Sequence, residues 1–259
     1  MTATTSDAGG FQVLPDYAPV PLSAFGPALN DEHHADHAGA ASLFGDDVVR
    51  IGHEETRRLL LRDNDPTRPA PEVTFSDSYT LNVGGERVEL AFHGPNHSPD
   101  NIFIHFPDHD ALMLVDIANP GLVPIYNLNL SEAVPGYIDA AERTLSYPWS
   151  HYIGGHLGRL GTREDIAVHQ RYVADILDSC RAALGSVDPT TYFVKYGANV
   201  WAGVKGYLDE VAARAAEAVI ARYTGVLAAA DVESFIYTTT FTVQQSRRLD
   251  GGADSQVHP

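Results

Sequence analysis

The chain has 259 residues, enough for one large or two small domains with a sizeable core, and 44% of them are apolar, a globular proportion. Its formal net charge of −17 removes the basic footprint that nucleic acid or an anionic membrane surface requires, and suits holding divalent cations. One cysteine, Cys180, excludes an intrachain disulfide and a multi-cysteine zinc site. The start, "MTATTSDAGG", lacks the basic and apolar regions of a signal peptide. No apolar run reaches the roughly 18 residues of a membrane span. These features make a cytoplasmic protein the default expectation.

Residues 1–31, rich in Pro, Ala and Gly, read as an irregular leader. After them comes a dense cluster, "EHHADHAGA" (32–40). "DVVRI" then reads as a short buried strand and "HEETRRLLLRD" as a helix. "YTLNVGGERVELAF" holds two alternating runs around Gly84-Gly85 and predicts a hairpin. "NIFIHF" and "ALMLVD" are β runs, and "SEAVPGYIDAAERTL" is mainly helical. "TREDIAVHQRYVADILDSCRAALG" predicts a long helix N-capped by Thr162 with Asp165 three residues on. Ile166, Val173, Ile176, Leu177 and Cys180 share one of its faces, which makes Cys180 a core residue and not a nucleophile. A further Ala-rich helix covers about 202–224, and "SFIYTTTFTV" reads as β-rich. Residues 250–259 read as a frayed tail, and no internal repeat occurs.

The chemistry lies in the histidines and carboxylates. Imidazole and carboxylate are ligands of zinc and similar ions. In "EHHADH" the outward-pointing candidates are Glu32, His34, Asp36 and His37. One such cluster does not complete two sites, and further donors stand where strands end. His97 sits in "GPNHSPDN", Asp116 at the end of "ALMLVD", and His156 in the Gly-rich "YIGGHLG". His53, His105, His109, His151 and His169, each alone, read as surface or hydrogen-bonded residues. Tyr126, just past Asp116, reads as a packing residue, with a cleft wall as the other reading. Trp201 and Tyr207 read as helix core or dimer face. No Ser or Cys nucleophile stands in a convincing setting, and no phosphate-binding Gly loop followed by Lys is present.

"HHADHAGA", "GPNHSPDN", "LMLVD" and "YIGGHLG", in that order, resemble the successive metal-binding motifs of the metallo-β-lactamase-fold hydrolases, over residues 33 to about 175. The resemblance implies an α/β fold, an αββα sandwich with a two-metal site at one edge of the sheets. By motif position, one metal takes His34, His97 and residue 32, the other takes Asp36, His37 and His156, and Asp116 bridges both. The family's first histidine falls on Glu32. Two readings of Glu32 stay open: an oxygen ligand in place of the histidine, or a residue at a join. The superfamily usually places several strands before this motif, where this chain has 31 Pro-rich residues, so the first sheet is expected to be incomplete.

The expected domain therefore spans 32–249, with 185–249 a C-terminal helical and β extension. The implied cofactors are two divalent ions, zinc first and iron or manganese as alternatives. The implied activity is cleavage of an ester, lactone, thioester or amide bond in a small molecule by a hydroxide held on the ions, with Asp36 and Asp116 positioning the water and passing its proton. Two other readings stand beside it: a catalytically impaired relative acting as a binding or assembly protein, and a redox di-iron protein. The expected partner is a small-molecule substrate, with no nucleic acid and no membrane. The Ala-rich helix near 207–222 offers a face for a homodimer.

Overall fold

The computed structural model describes residues 28–45, 48–156 and 158–249. Most of the expected leader and the whole of the expected tail lie outside them. A three-stranded parallel sheet joins β1 (Ala28–Leu29), β2 (Arg50–His53) and β3 (Val73–Phe75), in that order. Between β2 and β3 runs α2 (Glu54–Asp63), preceded by the short α1 (Ala35–Ala38). A five-stranded sheet follows in sequence order: β4 (Ser78–Val83), β5 (Glu86–Ala91), β6 (Phe103–Phe106), β7 (Ala111–Met113) and β8 (His151–Ile153). The β4–β5 hairpin turns on Gly84 and Gly85, both at positive φ, as the sequence predicts.

Strand alternation decides the layering. Leu90 and Ile104 of the second sheet pack with Ile51 and Phe75 of the first, forming the core between the sheets. Phe103 and Leu112 point the other way, into a larger core with α4 (Val134–Thr144), α5 (Arg163–Ser186) and α7 (Val200–Tyr223). On the outer side of the first sheet, α2 packs against β2 and β3 and buries Leu59 and Leu60. The architecture is thus the αββα sandwich of the metallo-β-lactamase type that the motifs imply, and the first sheet has three strands among the described residues.

Strand direction sets where loops open. β5 is antiparallel to β6, β6 is antiparallel to β7, and β7 is parallel to β8. β5, β7 and β8 therefore run the same way, and the loops after them, which carry His97, Asp116 and His156, emerge at one edge. β7 ends at Met113, so Asp116 stands beyond the strand in a turn, at φ 61°.

The capping box of Thr162 and Asp165 opens α5 as expected, and Cys180 is fully buried on it. The segment 185–249 departs from expectation. It is helical, with α6 (Pro189–Tyr196), α7 and α8 (Glu233–Leu249), and the "SFIYTTTFTV" run lies inside α8 rather than in a strand. Its β-branched and aromatic residues suggest strand by propensity, but Ile236, Thr239, Thr240, Val243 and Gln244 are buried at helical spacing. Threonine hydroxyls make this tolerable: Thr240 bonds the Ala212 carbonyl of α7, and Thr238 bonds back to Ser234. Packing against α7 overrides propensity.

His169, on α5, is buried with its Nε2 unpartnered, where a surface or hydrogen-bonded role is expected. Burial pushes its imidazole down to about 4. The unfolded chain takes up a proton there near pH 6.5, the ordinary histidine value, and the folded chain does not. The contribution to stability is therefore complete above pH 6.5 and is lost as pH falls toward 4, by about 3 kcal/mol in total. His169→Leu is expected to flatten this part of the acid limb in urea unfolding at pH 7 and pH 4.5. Equal losses in variant and parent over that interval would show that His169 carries no such linkage.

Candidate metal centre

The cluster begins where β1 ends. The Asn30 amide bonds the Ile51 carbonyl and the Ile102 amide bonds the Asp31 carbonyl, which ties the loop to both sheets. His34 is the N-cap residue of α1, and the helix then presents Asp36 and His37 from its single turn. The Glu32 side chain is fully buried and points inward. Its Oε1 lies 2.8 Å from His34 Nδ1 and 3.6 Å from both His37 Nε2 and His97 Nε2.

His97 arrives on the loop after β5. The Glu132 and Ala133 amides bond the His97 and Asn96 carbonyls, seating the loop on the start of α4. Gly136 in that first turn permits the contact, because a Cβ there would stand 1.9 Å from the Pro95 carbonyl oxygen. His97 Nε2 lies 3.2 Å from His34 Nδ1 and 3.2 Å from Asp116 Oδ2. Asp116 also approaches His37 Nε2 at 3.1 Å through Oδ2 and His156 Nε2 at 3.0 Å through Oδ1. His156 and Asp36 form the open side, 3.3 Å apart. Gly155, just before His156, has φ 90°, and any side chain there would also strike Val115.

The donor atoms fall into two groups, each within 4.8 Å: Glu32, His34 and His97; and Asp36, His37, Asp116 and His156. All seven residues singled out in the sequence come together. A third group, His33, His34 and Glu132, also meets that spacing. His33, however, bonds through Nδ1 to the buried Asp100 at 2.8 Å, which Ser98 also bonds.

The electrostatics follow from this crowding. The hydrogen bond that His34 donates to the Glu32 carboxylate, opposed by burial, raises His34 to about 8. Burial pushes His37 down, but bonds to Asp116 and Asp31 prevail and hold it up at about 11. For His97 burial prevails, and its imidazole is lowered. Burial pushes Asp116 up, yet His37 and the surrounding imidazoles keep it below the ordinary carboxylate range. Glu32 Oε2 and His97 Nδ1 are buried without hydrogen-bond partners, and Asp116 Oδ1 makes no hydrogen bond although His156 Nε2 lies 3.0 Å away. A set of hard oxygen and imidazole donors with buried carboxylate oxygens left over fits divalent cations.

Several residues of the site carry no sequence signal that singles them out. Asp31 Oδ2 lies 3.3 Å from His37 Nδ1, a contact that orients the ring. Asn129 donates to the Asp116 carbonyl at 3.1 Å while its Oδ1 accepts from the Ile125 amide at 2.8 Å. It sits in α3 (Tyr126–Leu130), where Asn127, Leu128, Asn129 and Leu130 all have positive φ, so the element turns left-handed. Such a turn costs roughly 1–2 kcal/mol per residue. Thr239 and Thr242 of α8 hold it through the Leu128 amide and Asn127 Oδ1. Tyr126 meets Phe235 of α8 edge-on, centroids 4.9 Å apart, and is otherwise 44% exposed. Trp201 is exposed, whereas Tyr207 packs on the core.

No family model matches the chain. A curated relative, 2,4-dinitroanisole O-demethylase subunit alpha of Nocardioides sp. (strain JS1661), is 30% identical over 156 residues, 58% of this chain. The chain spans about half the length of that relative, 47% of it being matched. Among solved structures, a metallo-β-lactamase from Pontibacter korlensis is similar with a TM-score of 0.49 and 20% identity, over 56% of this chain and 67% of its own. One from Hirschia baltica has a TM-score of 0.47 and 19% identity over 56% and 67%.

Asn129→Ala removes a donor to Asp116 and an acceptor for Ile125, and puts a residue less tolerant of positive φ into the turn. The expected loss is about 1–3 kcal/mol in urea unfolding. Asn129→Asp, which keeps the acceptor, should lose less. Unchanged stability in Asn129→Ala would mean that the turn does not depend on this side chain.

Proposed function

We propose that the chain is a metal-dependent hydrolase of small molecules, acting on an ester, lactone, thioester or amide bond. The observation that supports this most is the Asp116 carboxylate, buried between the two donor groups with histidine nitrogens 3.0 to 3.2 Å from both of its oxygens. Glu32, His34 and His97 would hold one cation and Asp36, His37 and His156 a second, with Asp116 shared. Zinc suits this donor set, and iron and manganese are the alternatives. When bound, such cations supply Lewis acidity, lowering the pKa of water and polarising a substrate oxygen.

The chain's own residues do the rest. Asp31 fixes the His37 ring so that Nε2 faces the centre. Asn129 holds the backbone of Asp116 and thereby the carboxylate's direction. Asp36, exposed at the rim, accepts a proton from the attacking water on a carboxylate oxygen and returns it to the leaving group as the bond to that group breaks. Glu32, buried and turned inward, is a ligand in this reading and not a residue at a join.

The relative named for O-demethylation of 2,4-dinitroanisole adds an activated aryl methyl ether to the bonds to be tested. Chelated protein reloaded separately with zinc, manganese and iron would be assayed on an aryl ester, a lactone, a thioester and 2,4-dinitroanisole. Activity should disappear on chelation and return with a divalent ion. Reloading should also stabilise the fold by about 2.7 kcal/mol when free ion exceeds its dissociation constant a hundredfold. Glu32→Ala should weaken one of two binding events in calorimetry, and Glu32→His should preserve or tighten it. Undiminished turnover after exhaustive chelation would contradict the proposal.

A further inference from the structure

Beside the centre opens a cavity of about 630 Å³, the size of a pocket for a small organic molecule. One wall is the polar centre itself: His34, Asp36, His97, Asp116 and His156. The rest of the lining is mainly apolar, with Leu122, Val123, Ile125, Leu130 and Phe235, and Asn119 and Asn129 are its polar members. Among the described residues, no Arg or Lys lines the cavity. Arg159 approaches Gly121 near this wall, but both its terminal nitrogens bond Asp165, at 2.6 and 2.8 Å. The Asn129 amide faces the cavity already committed to Asp116 and Ile125.

Two features make this wall a binding surface rather than an incidental one. Ile125 and Leu130 are 44% and 58% exposed, large apolar side chains held out beside the centre by the left-handed turn. Phe235 is fixed by its edge-on contact with Tyr126 and comes from α8, in the segment whose sequence carries no motif.

Resting on the hydrolase reading, we infer that the substrate is uncharged away from its reacting bond and carries an aryl or branched alkyl body, which Phe235, Ile125 and Leu130 select. The polar bond turns to the centre, and the apolar body lies against these side chains. A carboxylate or sulfonate on the body would be buried against hydrocarbon with no counter-ion, which is strongly disfavoured. The chain's net charge of −17 acts in the same direction at long range.

The test uses the zinc-loaded full chain and two esters with the same leaving group, 4-nitrophenyl butyrate and 4-nitrophenyl hemisuccinate. The neutral ester should have the higher kcat/KM by about tenfold or more. Phe235→Ala should lower kcat/KM for the butyrate about tenfold, mainly through KM, with Phe235→Leu intermediate. Phe235→Arg should move the preference toward the hemisuccinate. Trp201→Ala, remote and exposed, should change neither. Equal turnover of both esters, or a Phe235 series with unchanged KM, overturns the inference. If neither ester is cleaved with zinc, manganese or iron, ester hydrolysis is excluded from the proposed activity. Calorimetry with 4-methylacetophenone and 4-acetylbenzenesulfonate then reads the cavity separately: tighter binding of the neutral ketone, weakened in Phe235→Ala, sustains the selectivity, and equal or reversed binding refutes it.

Discussion

Burying carboxylates is the constraint on which this structure turns. Glu32 and Asp116 are removed from water, and the groups that face them are imidazoles. Each histidine there either takes up a proton, as the raised values of His34 and His37 show, or leaves the carboxylates uncompensated. Glu32 Oε2 has no hydrogen-bond partner, and Asp116 Oδ1 meets only the His156 imidazole, at 3.0 Å. An arrangement of this kind is costly to fold for its own sake. It becomes favourable when cations occupy the space between the donors, which is the proposed state of the working protein. The rest of the molecule serves to hold these groups at one place: common strand direction aims three loops, Asp31 turns His37, and Asn129 fixes the turn after β7.

The C-terminal helices belong to the same design. α8 buries a threonine-rich face against α7 and the left-handed turn, and so holds four residues in a conformation they would not adopt alone. That turn links the centre to the cavity wall, because Asn129 bonds Asp116 while Ile125 and Leu130 stand at the rim. A segment far along the chain thus shapes the space in front of residues 32–37.

The sequence makes the centre more legible than its surroundings. His34, Asp36 and His37 crowd into one loop, and His97, Asp116 and His156 are polar residues in Gly- or Pro-rich loops after apolar runs, a pattern with few purely structural explanations. Their order carried the fold as well. Glu32 was open from sequence because only packing reveals whether a carboxylate turns inward. The run at 234–243 reads as strand and folds as helix because threonine, tyrosine and phenylalanine prefer strands until a neighbouring helix supplies partners. Asn129 and Phe235 were invisible for a similar reason: an asparagine in a loop and an aromatic in an apolar run are ordinary, and their roles come from Asp116 and from the cavity.

In the proposed working state these seven side chains enclose two divalent ions that share Asp116. Anomalous scattering from crystals of the zinc-loaded protein, collected on both sides of the zinc absorption edge, tests it most directly. The account predicts two peaks, one among Glu32, His34 and His97 and one among Asp36, His37 and His156, each about 2.0–2.2 Å from an Asp116 oxygen. Zinc located elsewhere on the chain, with no peak at coordination distance from Asp116, would contradict it.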